Sequence, residues 1–335
     1  MNTDIIFADA ARVLEAVNFD CLEGKTVLIT GATGLLGTHF LATLALLKKR
    51  GMNIYAYAHC HSHPASYTQE IAKNSRILLH CPMSADVIIH AAGYAQPSVF
   101  TVDRAETIRI NTAWTEQLLG YLRPGGKFLF VSSSEVYSGL TGLVDESKIG
   151  TTNPYHPRSC YIEGKRCGEA ICYAHRLSGI DAKSARLSLT YGPGVRKGDK
   201  RAMSVFIEEA LSTGKVAMKY LGKERRTFCY VSDAVELLWQ VCLHGTHPIY
   251  NIGSPLSTSM REIADVIAME THSDLDCPED YEELLGSPEG ATMAIGLAGC
   301  EFNKSQYGWG ASRYVEFKEG LESTIEWHRG LMESA

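Results

Sequence analysis

The chain has no run of apolar residues approaching the roughly 20 that a membrane-spanning helix needs. It also has no block of lysine and arginine. Its 32 basic residues against 38 acidic ones leave a formal charge of −6, which argues against a nucleic-acid surface. Its ten cysteines never form Cys-x-x-Cys, so zinc-site spacings are missing, and a disulfide framework would be unusual in a chain of 335 residues. Reduced, mostly buried cysteines in a cytoplasmic protein are expected instead. The densest group of metal-ligating side chains is His59, Cys60, His61 and His63. It falls in an expected loop without paired ligands elsewhere, and no metal is assigned. The N-terminus lacks the basic start and apolar run of a secretory leader. Ile6, Ala10, Val13, Leu14 and Val17 recur there at helical spacing and predict a short amphipathic helix.

What is present is enough apolar residue, 45% of the chain, to bury a full core. The first half alternates short apolar runs with longer helical patterns, the signature of a parallel sheet flanked by helices. Strands are expected at 25–30, 53–58, 76–80, 86–90, 127–132 and 181–187, with helices at 38–50, 103–122 and 161–178. After Tyr191, the Gly192-Pro193-Gly194 run marks a boundary. Beyond it, 204–212, 260–269 and 317–328 read as helices of a smaller lobe.

The apolar run Thr26–Thr30 leads directly into Gly31-Ala-Thr33-Gly34-Leu35-Leu36-Gly37, which opens a helix. That context turns spaced glycines into a dinucleotide site. Gly31 takes the tight turn, Gly34 lets backbone N–H groups approach a pyrophosphate, and Gly37 allows close helix–strand packing. Thr33, Leu35 and Leu36 share the turn, and Ala91, Ala92 and Gly93 follow a neighbouring strand. The expected fold is therefore α/β, a Rossmann-type doubly wound parallel sheet with a smaller C-terminal substrate-binding lobe. A helical extension covers 1–21. The dinucleotide-binding domain covers 22–187 plus about 226–255, and the lobe covers 188–225 and 256–335. The ribose-binding acid usual at the end of the second strand is missing, replaced by Ala58-His59-Cys60-His61. No arginine or lysine stands there either, so the reading leans to NAD and leaves NADP open.

Tyr161-Ile-Glu-Gly-Lys165 puts a phenol and an ammonium four residues apart on one helix face. Such an ammonium lowers a phenol's pKa from about 10, so that it can take a hydroxyl proton while hydride leaves the same carbon. Upstream, Ser132, Ser133 and Ser134 end a strand at the carboxyl edge of the sheet, where ligands bind in doubly wound folds. Ser133 can hydrogen-bond the reacting oxygen.

Together with His90-Ala-Ala-Gly93, Ser134-Glu135-Val-Tyr137 and Arg226-Thr-Phe-Cys-Tyr-Val-Ser-Asp233, these motifs resemble extended short-chain dehydrogenases acting on nucleotide sugars. The resemblance covers roughly 22–270. Within that superfamily, the run Pro157-Arg158-Ser159-Cys160-Tyr161 to Arg166 is most similar to UDP-glucuronate decarboxylases. The resemblance implies that Ser133 bonds the sugar O4, Glu135 acts near C5, Tyr161 is the base and Lys165 tunes it while holding the nicotinamide ribose. Arg226 would grip the diphosphate bidentately, with Ser134 and Arg158 also binding substrate. A 4,6-dehydratase or epimerase is the alternative, and a non-catalytic dinucleotide-binding regulator is a third reading. A homodimer paired through the helices at 103–122 and 161–178 is implied as well.

The chain departs from the family pattern in four places. Leu189 replaces an Asn, and Gly194 replaces an Arg. A short stretch between strands two and four predicts a missing helix at the adenine pocket. Ala291–Phe302 lacks a basic residue before Gly308-Trp309. Asn111 is expected to tie its helix to the active-site strand, and Arg225 to be a surface charge. The aromatic residues Tyr307, Trp309, Tyr314, Phe317 and Trp327 are expected in core and lid packing.

Overall fold

Parallel pairing follows from the apolar runs, which in the computed structural model become strands buried on both faces. The structure describes residues 3–140, 142–254, 257–278 and 314–333. In chain order the helix α1 (Asp4–Ala16) precedes β1 (Thr26–Thr30), α2 (Leu35–Lys49), β2 (Tyr55–His59), α3 (Ser66–Asn74) and β3 (Ala85–His90). Then come α4 (Pro97–Phe100), α5 (Arg104–Asn111), α6 (Ala113–Leu119), β4 (Leu122–Ser133), α7 (Ser159–Leu177) and β5 (Asp181–Leu187). The remainder holds β6 (Leu189–Tyr191), α8 (Ala202–Thr213), β7 (Lys215–Ala217), β8 (Arg225–Tyr230), α9 (Val231–His244) and β9 (Ile249–Ile252). It ends with β10 (Ser257–Ser259), α10 (Met260–Thr271), β11 (Asp274–Asp276) and the C-terminal helix Phe317–Glu333.

The main sheet has six parallel strands in the order β2-β1-β3-β4-β5-β9. The chain reverses direction across the sheet between β1 and β3, which opens a crevice at their carboxyl ends. A three-stranded sheet, β10-β8-β6, and a two-stranded one, β11-β7, lie beside it. The expected α/β architecture is present. The predicted amphipathic start is α1, whose Ile6, Ala10, Val13 and Leu14 are buried against α2 and α9. No helix among the described residues is long and apolar enough to cross a membrane.

Four expectations need correction. Residues 76–80 are not a strand. Arg76 takes φ 52°, a left-handed turn that interrupts extended backbone, and only Leu78 bridges to Tyr57, bonding Ala56 and Ala58. Helix α3 fills the region where a helix was expected to be missing. The helix expected over 103–122 is two, broken at Thr112 (φ −120°, ψ −82°). There Asn111 Nδ2 and Thr112 Oγ1 donate to the carbonyls of Thr107 and Ile108 at 2.7 and 2.8 Å, competing with the helical ladder. Finally, α2 begins at Leu35 and not at 38, so the glycine turn itself is the helix start.

Sequence periodicity did not reveal α9. It is buried nearly all round, its polar residues Ser232, Asp233, Glu236 and Gln240 included. Its Trp239 meets Phe19 and Phe40 edge-on at 5.4 and 5.3 Å, joining α9 to the N-terminal segment and α2.

Candidate active site

The glycine turn is built by exclusion of side chains. Gly31 sits at φ 69°, and a Cβ there would lie 2.5 Å from the Ala91 carbonyl oxygen. A Cβ on Gly37 would lie 2.3 Å from the Gly31 oxygen. The end of β1, the start of α2 and the Ala91–Gly93 segment therefore touch through backbone, and Gly34 caps α2 in an extended conformation. The first amides of α2 open into a cavity of about 770 Å³. A pyrophosphate fits such a cradle, because unpaired N–H groups and the helix dipole both favour an anion.

The sixteen residues expected to hold cofactor or substrate or to carry the catalysis all line this one cavity. They are Gly31, Thr33, Gly34, Leu35, Leu36, Gly37, Ala91, Ala92 and Gly93 at the dinucleotide end, with Ser133, Ser134, Glu135, Arg158, Tyr161, Lys165 and Arg226 beyond them. Ser133 ends β4, where its hydroxyl accepts from the Glu135 amide at 3.2 Å and so turns the chain into a single helical turn. Tyr161 projects from the first turn of α7. Its ring stacks on Phe100 at 4.7 Å, with planes 12° apart.

Burial pushes the Tyr161 phenol up to about 12. A hydrogen bond with Ser133 pulls it down, the Glu135 carboxylate raises it further, and the Arg158 guanidinium lowers it. Lys165 is buried beneath it, donating to the Val131 carbonyl at 2.7 Å and lying 4.8 Å from the Phe130 ring centroid. Burial brings this amine down to about 7, against the pull of Glu169.

Glu135 and Arg158 form a two-point ion pair. Arg158 Nε donates to one carboxylate oxygen at 3.1 Å, and Nη2 donates to the other. The guanidinium also lies over the Phe100 ring, 5.1 Å from its centroid. Arg226, partly buried on β8, feels both members of this pair, and burial lowers its pKa. Its neighbour Arg225 is exposed and pairs with Glu262 at 2.8 Å, as expected of a surface charge.

Asn111 does not tie its helix to the strand. Its amide nitrogen bonds its own helix, and its buried carbonyl oxygen points toward Gly93. Gly194 takes φ 97° with Leu35 Cδ1 3.4 Å from where a Cβ would stand, so an arginine there would be strained. Leu189 lines the cavity. Among the described residues no cluster of three or more His, Cys, Asp or Glu could hold a metal, the histidines around Cys60 included. Residues 291–302, Tyr307, Gly308 and Trp309 lie outside the described residues, while Trp327 is buried and bonds the Val195 carbonyl at 2.8 Å.

Five residues had no role at this site in the sequence reading. Phe100, on the short α4, packs between Tyr161 and Arg158. Glu169 accepts from Ser132 at 2.5 Å and from Arg186 at 2.8 Å, bracing α7 against the strand ends that carry the serines. Arg196, His61 and Ser62 line the dinucleotide end. Only Glu169 carried a signal, since a Glu inside an apolar helical pattern needs a partner.

A family model described as "NAD dependent epimerase/dehydratase family" matches residues 27–253. UDP-glucuronic acid decarboxylase 6 of Arabidopsis thaliana is 34% identical over 252 residues, 72% of this chain and 73% of its own. UDP-glucuronic acid decarboxylase 1 of Xenopus tropicalis is 29% identical over 325 residues, 93% and 74%. Among solved structures, dTDP-glucose 4,6-dehydratase (DesIV) from Streptomyces venezuelae, with NAD and TYD bound, aligns with a TM-score of 0.74 at 19% identity. That alignment covers 92% of this chain and 98% of the other. UDP-glucuronic acid 4-epimerase from Bacillus cereus, with UDP-glucuronic acid and NAD, aligns at 0.72 and 22%, covering 91% and 99%. These two likenesses concern the fold. With glycine turn, serine strand end and Tyr161/Lys165 converging in one cavity within the matched span, the chain belongs to the NAD-dependent epimerase/dehydratase family.

Proposed function

We propose that this chain is an NAD-dependent nucleotide-sugar decarboxylase that converts UDP-glucuronate to a UDP-pentose. The observation that carries the reading is the Glu135–Arg158 pair beside Ser133 and Tyr161, with a second guanidinium, Arg226, nearby. Two cations and one carboxylate around a hydroxyl–phenol pair suit a substrate bearing both a diphosphate and a sugar carboxylate. The decarboxylases at 29–34% identity support the same reading.

When bound, NAD supplies hydride acceptance at C4, making the sugar a β-keto acid. Gly31, Gly34, Gly37 and the first turn of α2 would hold its pyrophosphate, and Lys165 its nicotinamide ribose. Ser133 holds the sugar O4, and Tyr161 takes that hydroxyl's proton. The C5–C6 bond then breaks, CO2 leaves, and its electron pair passes into the 4-keto group. Glu135 acts at C5, where the resulting enolate must gain a proton; return of the hydride to C4 and of the Tyr161 proton to O4 would then give the UDP-pentose. A carboxylate in that place could also serve β-elimination, which keeps a 4,6-dehydratase as the second reading. The cytoplasmic setting and the homodimer belong to this proposal too.

The test is incubation of the purified chain with UDP-glucuronate and with neutral UDP- and dTDP-hexoses, following products by NMR and CO2 release. CO2 and a UDP-pentose from UDP-glucuronate are expected. Turnover of a neutral hexose without CO2 from the uronate would sink the decarboxylase and favour the dehydratase or epimerase.

A further inference from the structure

The end of β2 faces the ribose 2′ position in dinucleotide folds, and there a carboxylate selects the free 2′-hydroxyl of NAD. Residues 58–63 of this chain contain no carboxylate. The structure shows what stands there instead. Ser62 Oγ lies 3.2 Å from Thr33 Oγ1 of the glycine turn. The Arg196 guanidinium reaches across from the far side of the crevice, donating from Nη2 to Ser62 Oγ at 3.4 Å and to the His63 carbonyl at 3.3 Å. Thr33, His61, Ser62 and Arg196 all line the cavity.

The arginine is delivered by a firmly held loop. His39 Nε2 meets the Pro193 carbonyl at 2.8 Å, Tyr67 donates to the Gly194 carbonyl at 3.1 Å, and Trp327 donates to the Val195 carbonyl at 2.8 Å. Three consecutive carbonyls are thus tied to three elements immediately before the guanidinium. Gly194 lies against Leu35, so this loop rests on the first turn of α2, the pyrophosphate end. The two bonds of Arg196 go to neutral oxygens, which leaves its charge available to an anion.

We propose that Arg196, Ser62 and Thr33 form a subsite for a 2′-phosphate, so that the chain binds NADP as well as NAD. A guanidinium offers a phosphate a bidentate, charge-assisted contact, and two hydroxyls supply further donors at the same point. An acid at this place would repel the 2′-phosphate, and this chain has none. The inference uses only the dinucleotide-binding part of the proposed function and is indifferent to the sugar.

Calorimetric titration of the full chain with 5′-ADP and 2′,5′-ADP tests it without any turnover. The expected result is 2′,5′-ADP binding at least about tenfold tighter, since a charge-assisted contact is worth at least one decade of affinity. Arg196→Ala should abolish that gain, weakening 2′,5′-ADP far more than 5′-ADP, and Ser62→Asp should reverse the preference. Arg196 is exposed, and circular dichroism of each variant checks that the fold is kept. Equal or weaker binding of 2′,5′-ADP, or an Arg196→Ala loss shared by both nucleotides, overturns the subsite alone. Failure of either nucleotide to bind overturns the subsite and the dinucleotide reading together.

Discussion

Tyr161 shows why a residue's neighbours matter more than its spacing. Four residues from Lys165, it was expected to be tuned by an ammonium. In the folded chain, burial pushes the phenol up to about 12 and brings Lys165 down to about 7. The groups that draw the phenol down are Ser133, by hydrogen bond, and Arg158, by charge. The phenol must lose its proton to act as a base, so activity should rise with pH on the acid side of its profile. Tyr161→Phe should lower turnover of the preferred nucleotide sugar by about 10²–10⁴-fold, the usual worth of a positioned acid–base group. Its far-ultraviolet spectrum should match that of the unmodified chain. Full turnover by this variant would remove Tyr161 from the mechanism.

Among the elements, α1 has the least obvious role and a readable one. Its apolar face seats it against α2 and α9, yet it also buries Asp9 among His39, Tyr230, Asp233 and Glu319, with Arg12 nearby. Tyr230 donates to Asp9 at 3.1 Å, but desolvation still raises the Asp9 carboxyl to about 7. Asp233, the other buried acid of this group, is also raised to about 7 by burial. An acid raised in the folded state binds more protons there than when unfolded. Its stabilising contribution is therefore full below about pH 4 and lost as pH rises through about 7. Asp9→Asn keeps an acceptor for Tyr230 and removes the charge, so it should raise the melting temperature at pH 8 by a few degrees and change it little at pH 4. A scanning-calorimetry difference of equal size at both pH values would contradict this account. The apolar spacing of α1 was legible, and its buried acid was not. Nothing in the local pattern says that Asp9 lies beneath a tyrosine 221 positions away.

Across the whole molecule, exposed apolar residues occur on several elements, α5 and α7 among them. Ile108 on α5 and Tyr173 and Leu177 on α7 are 45%, 48% and 73% exposed, and the two helices pack together. Exposed apolar residues on two helices that pack together fit a self-association face. If a homodimer forms there, light scattering should give twice the chain mass, and the pair Ile108→Glu and Leu177→Glu should halve it. A monomer before mutation would exclude this face as a stable dimer interface. The smaller sheets and α8, α10 and the C-terminal helix complete the structure beside the main sheet. They bring Arg201, Arg226 and Met260 to the same cavity that the glycine turn opens.

The sequence alone determined what depends on neighbours a few positions apart. The strand before the glycine turn, the turn itself, the helix face shared by Tyr161 and Lys165 and the serines at a strand end are all short-range patterns. Steric demand at Gly31 and Gly37 and the helical repeat made them readable. The tertiary structure decided which charges meet. Glu135 is clamped by Arg158 from 23 positions away, Glu169 by Arg186, and Ser62 meets an arginine 134 positions on. Packing also set the level at which Tyr161 and Lys165 titrate. A phenol and an amine four residues apart acquire their protonation from the cavity that encloses them, because desolvation outweighs a single nearby charge.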